Sequence, residues 1–207
     1  PGKRQYTLDF AYHGGIYRDV WMIGKSSVAI TDALEADKVA GGGVFVHFDN
    51  ISGKKAEVYV DTEVHNSGKR TRTVAVETVL ADAGDVPVKR VSQQVKLQAG
   101  ESKTVRQQFA VRNPKLWSPD SPYLYRIQSR VKAGHEVLDG GVTRVGIRKA
   151  EFKGKDGFWL NGKPFGQLVG ANRHQDFAYV GNALPNSQQW RDAKRLRDAG
   201  CTIIRVA

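Results

Sequence analysis

The chain has 207 residues, of which 40% are hydrophobic, and a formal net charge of +11. This hydrophobic content can form a packed core, which excludes an intrinsically disordered chain, and no apolar run approaches the roughly 18 residues of a membrane-spanning helix. Cys201 is the only cysteine, which excludes a disulfide within the chain.

The middle of the chain has the period of β-strands. Polar and apolar residues alternate along residues 56–66, as in a strand with one buried face, and turn signals separate this segment from others like it. Seven strands are predicted in this way: 28–30, 44–48, 56–66, 74–80, 91–97, 105–111 and 125–131. Their regular spacing predicts a two-sheet sandwich of immunoglobulin type. Acidic residues on the outward face of 56–66 are expected to be solvated: Glu57, Asp61 and Glu63.

From about residue 150 the pattern changes. The apolar run 165–171 predicts a buried strand, and a polar loop over 172–181 follows it. A helix is predicted with Asn186 as its N-cap and Gly200 as its stop, and a second buried strand begins at Ile203. Four apolar residues of the helix recur at helical spacing and should face a core: Trp190, Ala193, Leu196 and Ala199.

A strand, a helix and a strand of these lengths predict a βα unit of a parallel sheet. Functional residues of such folds lie at the carboxyl ends of the strands. The segment 172–176 and Arg205 follow or occupy those ends. These are therefore the candidate functional positions of the chain.

Four parts of the chain together resemble the family 2 glycoside hydrolases, the group of β-galactosidases, β-glucuronidases and β-mannosidases. Their order and spacing agree with the family, and they span nearly the whole chain. The parts are 14–21, 113–125, 145–148 with 160–164, and 170–176 with 204–205. Two departures are Val145, where an aromatic residue is common, and the pair Gly166 and Gln167 in the first barrel strand.

The resemblance implies three domains, the first and last incomplete. Residues 1–24 would end a jelly-roll sugar-binding domain, 25–148 would form an immunoglobulin-like β-sandwich, and 149–207 would begin a catalytic (β/α)8 TIM barrel. The expected fold class is mainly β: the sandwich, followed by the first βαβ unit of an incomplete barrel. The start at Pro1 without Met, and with no recognisable signal peptide, fits a fragment.

The resemblance also implies the retaining hydrolysis of terminal β-linked sugars, with β-galactosides favoured. This reaction uses two carboxyl groups about 5 Å apart. In the family both are Glu on later barrel strands, and the acid/base Glu follows an Asn. This chain has no Asn-Glu pair, so we expect both catalytic Glu to lie beyond Ala207 and the fragment alone to be inactive.

Three residues map onto the sugar pocket of the family: Asp9 from the jelly-roll domain, His174 at the first strand end and Arg205 at the second. In the family the Arg supports the catalytic carboxylates through charge-assisted hydrogen bonds. Asn172 and Asp176 are weaker candidates that would also serve to hold the loop. The alternatives are an exposed loop carboxylate for Asp9, a structural loop histidine for His174 and an ion pair at the barrel rim for Arg205.

The expected partner is a carbohydrate substrate, with no nucleic acid, no membrane and no cofactor or metal bound by this segment. For the parent protein, binding of Mg or Na and a homo-oligomeric state are left open. A periplasmic or secreted location is favoured over a cytoplasmic one. The sugar specificity is also open. One alternative is a noncatalytic β-sandwich module for carbohydrate binding or interaction. Another is a nucleic-acid binder, which rests on the net charge alone, because the basic residues are spread along the sequence.

Overall fold

A computed structural model describes residues 15–206 of the chain. These residues form two compact units. One consists of residues 24–152 and 159–164, and the other of residues 15–23, 153–158 and 165–206. Asp9 lies outside the described residues, so its place in a sugar pocket stays a prediction.

The first unit is a sandwich of two antiparallel sheets. Its strands are β1 (Val28–Ile30), β2 (Val44–Asp49), β3 (Lys55–Asn66), β4 (Arg72–Ala81), β5 (Pro87–Leu97), β6 (Ser102–Arg112), β7 (Tyr125–Ala133) and β8 (Glu136–Val145). In one sheet β3 pairs with β6 along one edge and with β1 and β2 along the other. The second sheet has the order β5-β4-β7-β8. The predicted β-sandwich is confirmed.

The alternation of the sequence places the core between the two sheets. On β3, Val58, Val60 and Val64 are fully buried, and they belong to two apolar clusters that also contain residues of the second sheet. From that sheet Leu80 and Ile127 join the first cluster and Val76 and Val131 join the second. Burial of these side chains between two layers, at roughly 1.5–3 kcal/mol for each large aliphatic residue, stabilises the sandwich.

Strand β8 is an eighth strand that the sequence pattern does not predict. Its alternation is interrupted by Gly140 and Gly141, which are weak strand formers. A Cβ atom on Gly140 would lie 2.8 Å from the carbonyl oxygen of Ser129 on β7. The close approach of the β7 and β8 backbones therefore requires glycine at position 140, and this glycine interrupts the alternation by which the strand would be predicted.

The prediction that the acidic residues of β3 are solvated is wrong for Asp61 and Glu63. They are 8% and 4% exposed. Arg106 on β6 donates to both carboxylate oxygens of Asp61, from Nε at 2.7 Å and from Nη2 at 2.6 Å. From the loop before β2, the Lys38 ammonium donates to Oε2 of Glu63. These hydrogen bonds lower the pKa of both carboxyl groups, because each favours the charged form.

Three of the family-like motifs meet at one place in the first unit. Trp117 donates its backbone N–H to the carbonyl of Ile147 at 2.8 Å, and the Arg148 guanidinium lies 5.0 Å from the centre of the Trp117 ring. The side chain of Asn161 donates from Nδ2 to the Trp117 carbonyl at 3.0 Å and accepts from the Lys149 N–H at 3.0 Å. The motifs at 113–125, 145–148 and 160–164 thus form one structural joint.

Three short strands adjoin this joint: β9 (Ala150–Phe152), β10 (Phe158–Leu160) and β11 (Lys163–Pro164), in the order β11-β10-β9. Asn161 and Gly162 make the tight turn between β10 and β11, with φ of +53° and +79°. An Asn-Gly pair suits such a turn, because both residues tolerate positive φ.

The second unit contains a parallel βαβ unit, as the sequence predicts. Strand β12 (Gly170–Arg173), helix α1 (Asn186–Asp198) and strand β13 (Ile203–Val206) follow one another, and the two strands pair in parallel. The predicted strand over 165–171 is shorter than expected, because only its last two residues are in β12. Among the described residues, no helix combines the length and apolar character needed to cross a membrane.

Two predictions about the helix are wrong. Asn186 is its first residue and Pro185 occupies the N-cap position, without a side-chain hydrogen bond. The missing N–H of a proline costs nothing there, because N–H groups at the start of a helix have no partner within the helix. The apolar side of the helix is also not enclosed in a core, since Trp190 is 67% exposed. The predicted stop holds: Gly200 follows the helix with φ of +89°, the left-handed conformation that ends many helices.

Candidate functional site

The parallel pairing of β12 and β13 joins two of the candidate site residues. Asn172 is the register partner of Arg205, two residues after the pairing of Gly170 with Ile203. Both strands run in the same direction, so both residues lie at the same edge of the small sheet. Register partners project on the same side of a sheet. The side chains of Asn172 and Arg205 therefore share one face, and both are exposed.

The other face of this sheet is fixed by helix α1. Arg173, the neighbour of Asn172 in the chain, donates from Nη2 to Oδ2 of Asp192 at 2.7 Å. Gln188 donates to the other oxygen of Asp192 at 2.9 Å. The bond from Arg173 lowers the pKa of the Asp192 carboxyl. Because successive residues of a strand face opposite sides, Asn172 points away from the helix.

The loop after β12 carries the other two candidates, His174 and Asp176, and both are half-buried. It is fixed by Arg18, which donates from Nη2 to Oε1 of Gln175 at 3.4 Å and from Nη1 to the carbonyl of Leu184 at 3.1 Å. Arg18 is a positioning residue that the sequence reasoning missed. The available signal was its place inside the family-like motif at 14–21.

The same loop presents an apolar tip. Phe177 and Gly181 exchange backbone hydrogen bonds of 3.1 and 2.9 Å and close a tight turn. Tyr179 lies at the tip with φ of +72° and a fully exposed ring. Positive φ is uncommon for an aromatic residue, and such backbone strain gathers at functional sites. The turn therefore displays an aromatic ring close in sequence to His174 and Asp176.

The side chains at these strand ends are suited to binding a ligand rich in hydroxyl groups. The amide of Asn172 donates and accepts, the guanidinium of Arg205 donates, and the carboxylate of Asp176 accepts. From residue 170 onward the acidic residues are Asp176, Asp192 and Asp198. Asp192 is bound by Arg173 and Asp198 pairs with Lys194 on the helix, which leaves Asp176 as the carboxylate of the loop.

Metal binding finds no support at this place. Within residues 15–206, His, Cys, Asp and Glu form no group of three or more that could hold a metal ion.

The structure places the five predicted site residues in three different ways. Asn172 and Arg205 are brought together, His174 and Asp176 lie on the adjoining loop, and Asp9 falls outside the described residues.

Comparisons with known proteins agree on one family. The model of the glycosyl hydrolases family 2 matches residues 43–148. A β-galactosidase of Thermoanaerobacter pseudethanolicus is 32% identical over 208 residues, which cover 98% of this chain and 25% of that protein. A β-glucuronidase of Formosa agariphila is 31% identical over 195 residues, which cover 93% of this chain and 20% of that protein.

A solved structure gives the same result for the fold. The crystal structure of a Bacteroides uniformis β-glucuronidase superimposes with a TM-score of 0.86 at 28% sequence identity. The superposition covers 98% of this chain and 24% of that protein. The chain thus spans about a quarter or less of the length of the relatives that it matches.

Proposed function

This chain belongs to glycosyl hydrolase family 2, and we propose that the whole protein is an exo-acting, retaining β-glycosidase that removes terminal β-linked sugars. β-Galactosides are the favoured substrates. In this proposal the sandwich is a structural domain, and the βαβ unit opens the catalytic (β/α)8 barrel.

The observation that carries the proposal is the pairing of Asn172 with Arg205 at the ends of two parallel strands. In a (β/α)8 barrel the helices lie outside, and the catalytic site is at the carboxyl ends of the strands. Arg173 binds helix α1 through Asp192, so in this proposal its face of the sheet is the outer one. Asn172 and Arg205 then face the barrel interior at its catalytic end.

Each side chain has a defined part in the proposed site. The guanidinium of Arg205 would hold a catalytic carboxylate of a later strand through charge-assisted hydrogen bonds. His174 would bond a sugar hydroxyl whose hydrogen bond strengthens in the transition state. Asn172 and Asp176 would bind further hydroxyls or hold the loop, and Asp9 would add a carboxylate from the preceding domain.

The residues described above bind and orient but do not supply the chemistry. Retention of configuration requires one carboxyl group as nucleophile and a second as acid/base, about 5 Å apart. The loop after β12 offers one carboxylate, Asp176. We therefore expect the 207-residue chain by itself to turn over no glycoside.

The test uses the whole protein and a panel of nitrophenyl β-glycosides that includes the galactoside and the glucuronide. Arg205→Ala and His174→Ala should each lower kcat/KM on the preferred substrate by about a hundredfold. Arg191→Ala is the matched control, because Arg191 is exposed on helix α1, and it should leave turnover unchanged. Unchanged turnover in both site variants would refute the pocket, and a preference for the glucuronide would refute the choice of sugar.

A further inference from the structure

The outer face of the second sheet of the sandwich is strongly basic. We propose that this surface is a second binding site, for an acidic polysaccharide of the polyuronate type, distinct from the site at Asn172 and Arg205. The term basic face is used here for six residues on the outer side of β5, β7 and β8: Arg90, Lys96, Arg126, Arg130, Lys132 and Arg144.

Strand pairing brings these residues together although they are distant in the sequence. Apart from Glu77, the outward residues of β4 are short, and each of them pairs with one cation of β5 or β7. Val79 is the partner of Arg90 on β5, and Ala75 is the partner of Lys132 on β7. Val79 is only 1% exposed although it faces outward, because the aliphatic parts of long cationic side chains cover such positions.

One buried carboxylate at the centre is shared among three cations. Oε2 of Glu77 lies 3.1 Å from Nη1 of Arg90 and 3.9 Å from Nζ of Lys132, and Oε1 lies 3.6 Å from Nη1 of Arg130. The Glu77 side chain is 9% exposed, whereas that of Arg90 is 57% exposed. A single negative charge cannot neutralise three positive ones. The centre of the face therefore keeps a net positive charge that is directed to solvent.

Beside the three cations around Glu77, two further arginines lie directly opposite each other. Arg126 on β7 and Arg144 on β8 are register partners, and like charges directly opposite each other destabilise a sheet. Asp85 pairs with Arg126, which compensates one of the two. A bound polyanion would relieve the remaining repulsion.

The chemistry of the face favours a uronate chain over a nucleic acid. The outward positions of β4, β5, β7 and β8 carry no aromatic residue in the part of the chain that the structure describes, so bases have no ring on which to stack. Between the cations lie Ser92, Gln94 and Gln128, whose side chains are able to donate and accept hydrogen bonds with hydroxyl groups. Guanidinium groups bind planar carboxylates through two parallel hydrogen bonds, and a uronate chain carries such a carboxylate on every sugar.

The test measures binding of the 207-residue chain to polygalacturonate by affinity electrophoresis at low salt and at about 0.2 M NaCl, where exposed charges are screened. Arg90→Gln combined with Arg144→Gln leaves Arg130 and Lys132 beside Glu77, so the fold is kept, and should weaken binding roughly fivefold. Lys69→Gln combined with Arg70→Gln removes the same charge from an exposed turn and should change binding little. Glu77→Gln should tighten binding, because it removes the one carboxylate at the centre of the face.

Four results would overturn the proposal. The first is that polygalacturonate does not retain the chain at low salt, and the second is that the face variant and the turn control lose binding affinity equally. The third is that Glu77→Gln does not bind more tightly, and the fourth is that a neutral glucan retains the chain as strongly as the polyuronate. Tighter binding of duplex DNA than of polygalacturonate at the same salt would assign the face to nucleic acid instead.

Discussion

Asn172 and Arg205 stand side by side across the parallel pair β12 and β13, although 32 residues separate them in the chain. The next residue after Asn172 is bound to the helix on the opposite side of the sheet. A shift of the pairing by one residue would exchange these two faces. The register therefore decides which side chains face the proposed site.

The planar geometry of the Arg205 guanidinium, and not only its charge, should contribute to turnover. In the whole protein, Arg205→Lys keeps a positive charge but loses the paired donors that fit a carboxylate. We expect kcat/KM to fall about tenfold, less than in Arg205→Ala. Steady-state kinetics on the preferred aryl glycoside measures both. Arg195→Lys on the exposed side of the helix should have no effect, and equal activity of Arg205→Lys and the unaltered enzyme would contradict the prediction.

Gly170 should be needed for the register itself. A Cβ atom there would lie 2.1 Å from the carbonyl oxygen of Ile203 on β13, so Gly170→Ala must push the two strands apart. A displacement of about 1 Å at the reacting groups costs about a hundredfold in rate. We expect such a loss of kcat in the whole protein. Gly53→Ala, where an added Cβ meets nothing within 4 Å, is the control, and full activity of Gly170→Ala would disprove the tight approach.

The joint between the sequence motifs predicts a stability effect at Gly146. A Cβ atom on Gly146 would lie 2.8 Å from Cγ of Trp117, and overpacking of this kind costs about 1–3 kcal/mol. Urea denaturation of the 207-residue chain should show this loss for Gly146→Ala. Gly141→Ala, on β8, places its Cβ where nothing lies within 4 Å and should be close to neutral. The prediction fails when the two variants unfold at the same urea concentration.

The buried carboxylates of β3 should make the sandwich sensitive to acid. The hydrogen bonds from Arg106 and Lys38 hold the folded-state pKa of Asp61 and Glu63 below their ordinary values. A lowered pKa contributes stability that is fully present above the unfolded-state pKa, about 4. That stability is lost as the pH falls through the folded-state pKa, because the unfolded chain then binds more protons.

Asp61→Asn tests this contribution. It should lower the free energy of unfolding at pH 7 by about 1–2 kcal/mol and reduce its dependence on pH below about pH 4. Urea unfolding at a series of pH values measures both. A variant with the stability and the acid sensitivity of the unaltered chain would show that the ion pair contributes nothing.

Features with a local period are readable from the sequence of this chain. The alternation along β3 assigns Val58, Val60 and Val64 to the core, because side chains of a strand alternate whatever the strand pairs with. The change to a helical period after residue 185 gives the βαβ unit in the same way. The strand ends, and with them Asn172 and Arg205 as candidates, follow from these elements.

Features that depend on partners distant in the chain are not readable in this way. The alternation along β3 predicts that Glu63 is solvated, but Lys38, from a distant loop, pairs with it. The pattern of β8 is broken by Gly140, which is needed only because the backbone of β7 lies close to it. Arg18 contacts Gln175 across more than 150 residues of sequence. No local pattern encodes contacts of this kind.

The sequence by itself determined seven strands of the sandwich with their alternating faces, the helix and, through the spacing of its motifs, the family of this protein. The tertiary structure alone decided the register that sets Asn172 beside Arg205 and the strand order that gathers dispersed cations into one basic face. The physical reason is the separation along the chain of the residues that interact. The direction in which a side chain points follows from its own backbone, whereas its neighbours across a sheet follow from hydrogen bonds between strands far apart in the chain.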